Sequence, residues 1–256
     1  ETSSEASTQE ASAQVFAMDT YMTLTAYGDN AENALDKAEA EIERLDNLLS
    51  TGDGNSEIYA LNQNGTGTIS EDTETLLNES EKLYTDTEGV FDITIYPVMD
   101  AWGFTTQNYR IPSDEELKGL LENVNASKIQ YDKASKKVTL PAGVKIDFGG
   151  IAKGYTSSRI MGIYKKCGVT SGMVSLGGNV QLLGAKPDGS FWRVAVQSPD
   201  DTNDYLGVLE AEDKAVITSG GYERYFEENG KIYHHIIDPT TGYPAENGLK
   251  SVTIVS

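Results

Sequence analysis

The chain has 256 residues, is 38% hydrophobic and carries 40 acidic against 20 Lys and Arg residues, a formal charge of −20. That is apolar enough for a substantial core, but the charge excludes nucleic-acid binding and docking on anionic lipid, both of which need a basic surface. The lone cysteine, Cys167, allows no intrachain disulfide, and no apolar run reaches membrane-spanning length.

Residues 1–14, rich in Ser, Thr, Glu, Ala and Gln without apolar periodicity, read as a flexible tether ahead of one domain over 15–256. A tether of this kind is expected of an extracytoplasmic, lipid-anchored protein whose targeting segment has been removed. Val15 to Tyr27 alternates and is rich in Thr, Tyr and Val, which predicts a strand. Asp29 or Asn30 then caps a helix whose stripe is Ala34, Ala38, Ile42, Leu45, Leu48 and Leu49. After a loop at Thr51-Gly52-Asp53-Gly54-Asn55, Ser70 opens a second helix with Glu71, Asp72 and Glu74 in its first turn, where carboxylates suit the helix dipole. Leu76, Leu77, Leu83 and Tyr84 form its apolar face and Gly89 ends it.

Ser113-Asp114-Glu115-Glu116 is a capping box, which predicts a short helix from Asp114 to Leu121. Ile129–Tyr131 and Lys137–Leu140 read as a hairpin, and Ile146–Phe148 as a short strand before Gly149-Gly150 and a helix to Cys167. Strands then dominate: Met173–Leu176, Val180–Ala185, Trp192–Gln197, Val208–Ala211, Ala215–Thr218, Tyr233–Ile237 and Val252–Val255. Helices in the first half and strands in the second, without βαβ alternation, predict an α+β fold in a single domain. Cys167, at a helix end before Gly168, reads as a buried small hydrophobe.

Six stretches carry candidate chemistry. In Asp147-Phe148-Gly149-Gly150-Ile151-Ala152-Lys153-Gly154, two glycines let a ligand approach the backbone and a helix start offers N–H groups. Lys153 stands where the dipole disfavours a cation. An anion cradle and a plain tight turn with a solvated Lys both fit. The spacing is neither a P-loop nor a Gly-x-Gly-x-x-Gly fingerprint. Ser175-Leu176-Gly177-Gly178-Asn179 fits a bulge or hairpin turn. Val216 to Tyr225 ends a buried strand in Thr218-Ser219-Gly220-Gly221-Tyr222-Glu223-Arg224, which suits an aromatic heterocycle with a phosphate, or an ordinary strand end.

His234-His235-Ile236-Ile237-Asp238-Pro239-Thr240-Thr241-Gly242-Tyr243-Pro244 holds the only two histidines. Neighbours on a strand point to opposite faces, so the pair does not form a metal site, while one of them could move a proton. Gly89-Val90-Phe91-Asp92-Ile93-Thr94-Ile95-Tyr96-Pro97, leading to Trp102-Gly103-Phe104, and Met18-Asp19-Thr20 complete the set.

In this order, from about Val15 to the last residue, these stretches resemble the ApbE family, the FAD:protein FMN transferases formerly called thiamine-biosynthesis lipoproteins. The resemblance implies a T-fold-like α+β domain that is extracytoplasmic and often lipid-anchored, and that binds FAD with Mg²⁺. It implies transfer of FMN to a Thr or Ser hydroxyl of a target such as an electron-transfer flavoprotein subunit, with release of AMP. Hydrolysis of FAD to FMN and AMP, and FAD binding without turnover, are the alternatives on the same scaffold. Carried over by motif, Met18 touches the flavin or adenine, and Val90, Phe91 and Asp92 line the FAD site. Asp147 and Lys153 contact the dinucleotide, the Gly150 carbonyl faces the metal, and His235 and Ile236 lie beside FAD. His235, or a nearby carboxylate such as Asp238, takes the proton.

Two departures from the family pattern accompany these positions. A tyrosine often stands where this chain has Thr51-Gly52. An Ala-Asp-x-x-x-Thr-like segment supplying side-chain ligands to magnesium is expected beyond Ser256.

Overall fold

The structure, a computed structural model, describes residues 9–201 and 203–256. The chain opens with β1 (Glu10–Ala17) and β2 (Thr20–Tyr27), paired antiparallel from Glu10↔Tyr27 to Ala17↔Thr20. The strand expected over Val15–Tyr27 is therefore a hairpin. Its two-residue turn is Met18-Asp19, with φ of 50° and 57°. Positive φ at both positions is the type I′ geometry that matches strand twist, and no Gly or Asn announces it. β1 also takes in Glu10–Gln14, which composition assigned to the tether. Ala11 and Ala13 pack against the core while Ser12 and Gln14 face solvent. Residues 1–8 of the expected tether lie outside the described residues.

Then follow α1 (Ala31–Leu49), α2 (Glu57–Asn64), β3 (Thr66–Thr68) and α3 (Glu71–Asp86). A 3-10 turn at Ile93–Ile95 leads into α4 (Tyr96–Trp102), and α5 (Asp114–Leu121) precedes β4 (Gln130–Asp132) and β5 (Lys137–Thr139). After α6 (Gly149–Lys166) the chain is β6 (Ser171–Leu176), β7 (Asn179–Leu183), β8 (Trp192–Gln197), β9 (Tyr205–Ala211) and β10 (Ala215–Gly220). It ends with β11 (Tyr225–Glu228), β12 (Lys231–His234) and β13 (Ser251–Val255). The fold is α+β with antiparallel sheets. The two serine caps read from the sequence are in place: Ser70 Oγ accepts from Thr73 N at 3.3 Å and Ser113 Oγ from Glu116 N at 3.2 Å, whereas α3 ends at Asp86 with Thr87 as its C-cap rather than at Gly89.

By contacts the chain divides into two compact units. The first comprises residues up to Asp46 with Lys153–Gly220 and Lys250–Ser256. Its sheet has the order β1-β2-β6-β7-β10-β13. One face, with Met22, Leu24, Val174 and Leu176, packs against Ala34, Ala38 and Ile42 of α1 and Ile160, Met161 and Tyr164 of α6. Each fully buried Leu or Ile there stabilises the fold by roughly 1.5–3 kcal/mol. On the opposite face the β8–β9 hairpin sets Trp192 and Val194 against Leu182 and Val216. Cys167 is only partly buried, packed against the helix-side core.

The second unit comprises Asn47–Ala152 and Gly221–Leu249. It holds a small β3-β5-β4 sheet and the β11–β12 hairpin. Its core gathers Val98, Trp102, Phe104 and Leu117 with Phe226, Tyr233 and Tyr243. Trp102 Nε1 donates to the Gly242 carbonyl at 2.8 Å, which gives a buried indole its partner.

Among the described residues, the strand expected at Ile146–Phe148 pairs with no other strand. Instead the buried Asn62 side chain on α2 stands in for one. Its Nδ2 donates to the Ile146 carbonyl and its Oδ1 accepts from Ile146 N–H, both at 2.8 Å. Asp147 N–H then donates to the Ile93 carbonyl at 2.9 Å. The segment is extended because a side chain and a 3-10 turn satisfy its backbone, and this delivers Asp147 to the start of α6.

Candidate functional site

In the second unit the Asp147 turn is assembled from three segments. Asp147 Oδ1 accepts the Gly149 N–H at 2.8 Å, so the carboxylate satisfies one of the free N–H groups at the start of α6. Gly149 and Gly150 are exposed. A Cβ at Gly150 would lie 2.9 Å from Cε2 of Phe91, so the ring lies against the bare glycine backbone. Phe91 N–H donates to Thr87 Oγ1 at 2.9 Å, and Val90 beside it is 69% exposed.

Asp92 faces the other way. It is 8% exposed, its Oδ1 accepts from Thr94 N and Oγ1, and its Oδ2 accepts from Ala126 N at 3.1 Å. It fixes the segment that carries Val90 and Phe91. Tyr96, four residues on, hydrogen-bonds Thr51. Burial first raises its pKa, the Thr51 bond opposes this, and the Asp100 and Asp147 carboxylates add to the rise. A tyrosine hydroxyl thus reaches the Thr51 loop from another segment. Tyr96 lies in the Gly89–Pro97 stretch, where a large aromatic next to Pro97 is its only sequence signal.

The same unit presents His235. Its backbone N–H and its ring Nδ1 both reach the Arg224 carbonyl, each at 3.1 Å. A carbonyl only accepts, so Nδ1 carries the proton and Nε2 is the basic nitrogen. Arg224 Nη1 donates to the Phe104 carbonyl at 3.3 Å, and the Phe104 ring meets His235 edge-on with centroids 6.5 Å apart. The chain then turns: Ala245 N–H donates to the Ile236 carbonyl at 2.9 Å and Ile237 bridges Pro244. Asp238 Oδ1 accepts from Thr240 N at 2.8 Å and Oγ1 at 2.7 Å, which holds this turn.

In the first unit the hairpin turn, the β6–β7 turn and the Lys153–Ser157 stretch of α6 converge. Met18 N–H donates to Asp46 Oδ1 at 2.9 Å, holding a positive-φ residue that costs about 1–2 kcal/mol. Thr156 Oγ1 lies 3.8 Å from Met18 Sδ. A Cβ at Gly177 would lie 3.0 Å from Thr20 Oγ1 and 3.5 Å from Lys153 Nζ, so the ammonium stands over the β6–β7 turn. Thr218 N–H donates to the Gly178 carbonyl at 2.8 Å, which ties the Ser175–Asn179 and Val216–Tyr225 stretches together. Four stretches far apart in sequence thus meet at Met18, Lys153, Gly177 and Thr218.

Among the described residues no group of three or more His, Cys, Asp or Glu could hold a metal ion. The turn does offer a hard oxygen donor, the Asp147 carboxylate, while Gly150 is the second residue of α6. A single such donor suits a cation that keeps phosphate oxygens and water in its shell rather than an all-protein cage.

The ApbE family model matches residues 18–256. A protein of Vibrio cholerae serotype O1 named FAD:protein FMN transferase is 33% identical over 222 residues, covering 84% of this chain and 66% of that protein. One of the same name from Escherichia coli K12 is 30% identical over 235 residues, covering 86% and 66%. The chain thus spans slightly under two thirds of the length of these curated relatives. Among solved structures, the ApbE protein of Thermotoga maritima is similar with a TM-score of 0.92 and 33% identity, covering 97% of this chain and 82% of that one. The flavin transferase ApbE of Vibrio cholerae gives a TM-score of 0.86 at 27% identity with the same coverage.

Proposed function

This chain belongs to the ApbE family, and from that membership we propose that it transfers FMN from FAD to a Thr or Ser hydroxyl of a target protein, releasing AMP. The observation that carries the reading is the His235 imidazole, whose Nδ1 is committed to the Arg224 carbonyl at 3.1 Å. Its Nε2 is thereby the group that takes a proton. The acceptor oxygen attacks the FMN phosphorus, its proton passes to Nε2, a phosphoester bond forms, and the anhydride bond to AMP breaks. His235 is preferred to Asp238 as base because Asp238 Oδ1 already accepts two hydrogen bonds from Thr240.

Phosphoryl transfer is mainly positioning and charge neutralisation. In the second unit, Phe91, Val90, Ile236 and the Asp147 turn contact the dinucleotide, with Asp92 holding the Val90–Phe91 segment in place. For Met18 and Lys153 of the first unit, the family motif alone supports a contact to a ring of FAD and to the dinucleotide. By the family motif the Gly150 carbonyl would hold Mg²⁺ and Asp147 would contact the dinucleotide, and the ion when bound would neutralise the pyrophosphate charge. In a chain of charge −20 that neutralisation has to be local.

The test is incubation with FAD and Mg²⁺, with and without an electron-transfer flavoprotein subunit as acceptor. FMN covalently attached to the acceptor with one AMP released per transfer supports the reading. FMN set free at the same rate without acceptor indicates hydrolysis, and FAD bound without AMP release indicates a binding protein; either overturns it. The family resemblance also supports an extracytoplasmic location with a lipid anchor outside this sequence, tested by cell fractionation. No helix among the described residues is long and apolar enough to cross a membrane.

A further inference from the structure

We infer that His234 is a positioning residue for His235. The inference rests on the proposed role of His235 as base, and its geometry lies entirely within the second unit. His234 is the last residue of β12, paired with Tyr225 of β11. Beyond it, among the described residues, the ladder continues with the His235 N–H to the Arg224 carbonyl. The next backbone donor, Ile236 N–H, goes to His234 Nδ1 at 3.3 Å. A side chain thus accepts the amide that flanks the catalytic imidazole, and it fixes the chain on one side of His235 while the Arg224 carbonyl fixes the ring.

The ring of His234 is held in turn. A Cβ at Gly221 would lie 2.9 Å from its Cδ2 and 3.0 Å from its Cγ, so the imidazole rests directly on the Gly221 backbone. An amide N–H can only donate, so His234 Nδ1 is unprotonated and its proton sits on Nε2. The two neighbouring histidines therefore hold opposite tautomers: Nε2–H at His234 and Nδ1–H at His235. Each tautomer is set by one backbone group.

The chain has only two histidines, so the tautomers can be read directly. The experiment is a long-range proton–nitrogen correlation spectrum of the intact protein, with turnover measured in the FMN-transfer assay. Expected in the wild type are one Nε2–H and one Nδ1–H ring, assigned by loss of one in His235→Asn. His234→Phe keeps an aromatic ring, somewhat larger than imidazole, and removes the acceptor. It should lower kcat about tenfold, part of the roughly 10²–10⁴ a positioned base supplies, leave KM for FAD within about twofold, and blur the single tautomer of His235. His234→Asn, whose Oδ1 occupies the place of Nδ1, should restore most of the rate. Gly221→Ala, which pushes the ring away, should resemble His234→Phe.

His234 found with its proton on Nδ1, once the rings are assigned, overturns the inference without any turnover measurement. So does His234→Phe with wild-type kcat and an unchanged His235 tautomer while His235→Asn is inactive. If His235→Asn itself retains full turnover, the base assignment under the proposed function fails instead.

Discussion

The Asp147 turn is held by a side chain from another element, so removing that side chain should cost stability and FAD affinity together. Asn62 is 7% exposed and Ile146 1%. Asn62→Ala removes both 2.8 Å hydrogen bonds and leaves one donor and one acceptor of Ile146 buried without them. Each such group costs about 1–3 kcal/mol. Alanine is the better helix former by at most about 0.7 kcal/mol within α2, which offsets little. The net loss should be about 2–4 kcal/mol, read as a shift of the urea midpoint at unchanged slope. Trp102, fully buried in the same unit, is the fluorescence reporter.

Asn62→Asp sharpens the test. A neutral carboxyl reproduces both the donor and the acceptor, whereas a carboxylate turns a lone pair toward the Ile146 carbonyl. Burial and that carbonyl raise the folded-state pKa above the unfolded value. More protons are then bound in the folded state, so the stability of this variant falls as pH rises through the folded value and recovers in acid. A loss below about 1 kcal/mol in Asn62→Ala, or an Asn62→Asp variant insensitive to pH, would refute the reasoning.

Glu41 accepts from Arg44 at 2.8 Å and from Arg159 of α6 at 2.9 Å, and the Arg44 bond chiefly holds its carboxyl below the usual range. Because the folded pKa is depressed, the contribution is present above the unfolded value and lost as pH falls through the folded one. Glu41→Gln should cost up to about 1 kcal/mol at neutral pH, and thermal melts should converge with wild type in acid. Gly150→Ala displaces the Phe91 ring while gaining up to about 1 kcal/mol of helix stability, so stability should hardly change. FAD affinity should fall about tenfold by flavin fluorescence titration, equivalent to ~1.4 kcal/mol. Asp147→Ala should abolish FAD binding and cost about 1 kcal/mol for the lost Gly149 N–H bond. Asp147→Asn, which keeps the acceptor for Gly149 N–H, should lose binding without that stability loss; normal binding by either variant removes Asp147 from the site.

The sequence by itself determined the elements whose signals are local. Ser70 and Ser113 announce their helices because a cap needs only an oxygen three residues before an N–H, and α5 begins and ends where its capping box and apolar pattern place it. The stripe of α1 is legible because helical geometry alone puts Ala34, Ala38 and Ile42 on one face. The Asp147–Gly154 stretch was legible as a strand-to-helix turn with two glycines, and its order among the other stretches identified the family.

Pairing across the chain was not legible. Met18-Asp19 forms a hairpin turn because Ala17 and Thr20 pair and Asp46 accepts the Met18 N–H, 28 residues away. Ile146 is extended because Asn62, 84 residues back, satisfies it. The Arg224 carbonyl selects the His235 tautomer only because β11 and β12 are in register. Hydrogen-bond partners contributed by distant residues leave no periodicity in a sequence. The chemistry-bearing residues could therefore be named from the chain, while their orientation, and the basicity of one imidazole nitrogen rather than the other, was decided by the tertiary structure.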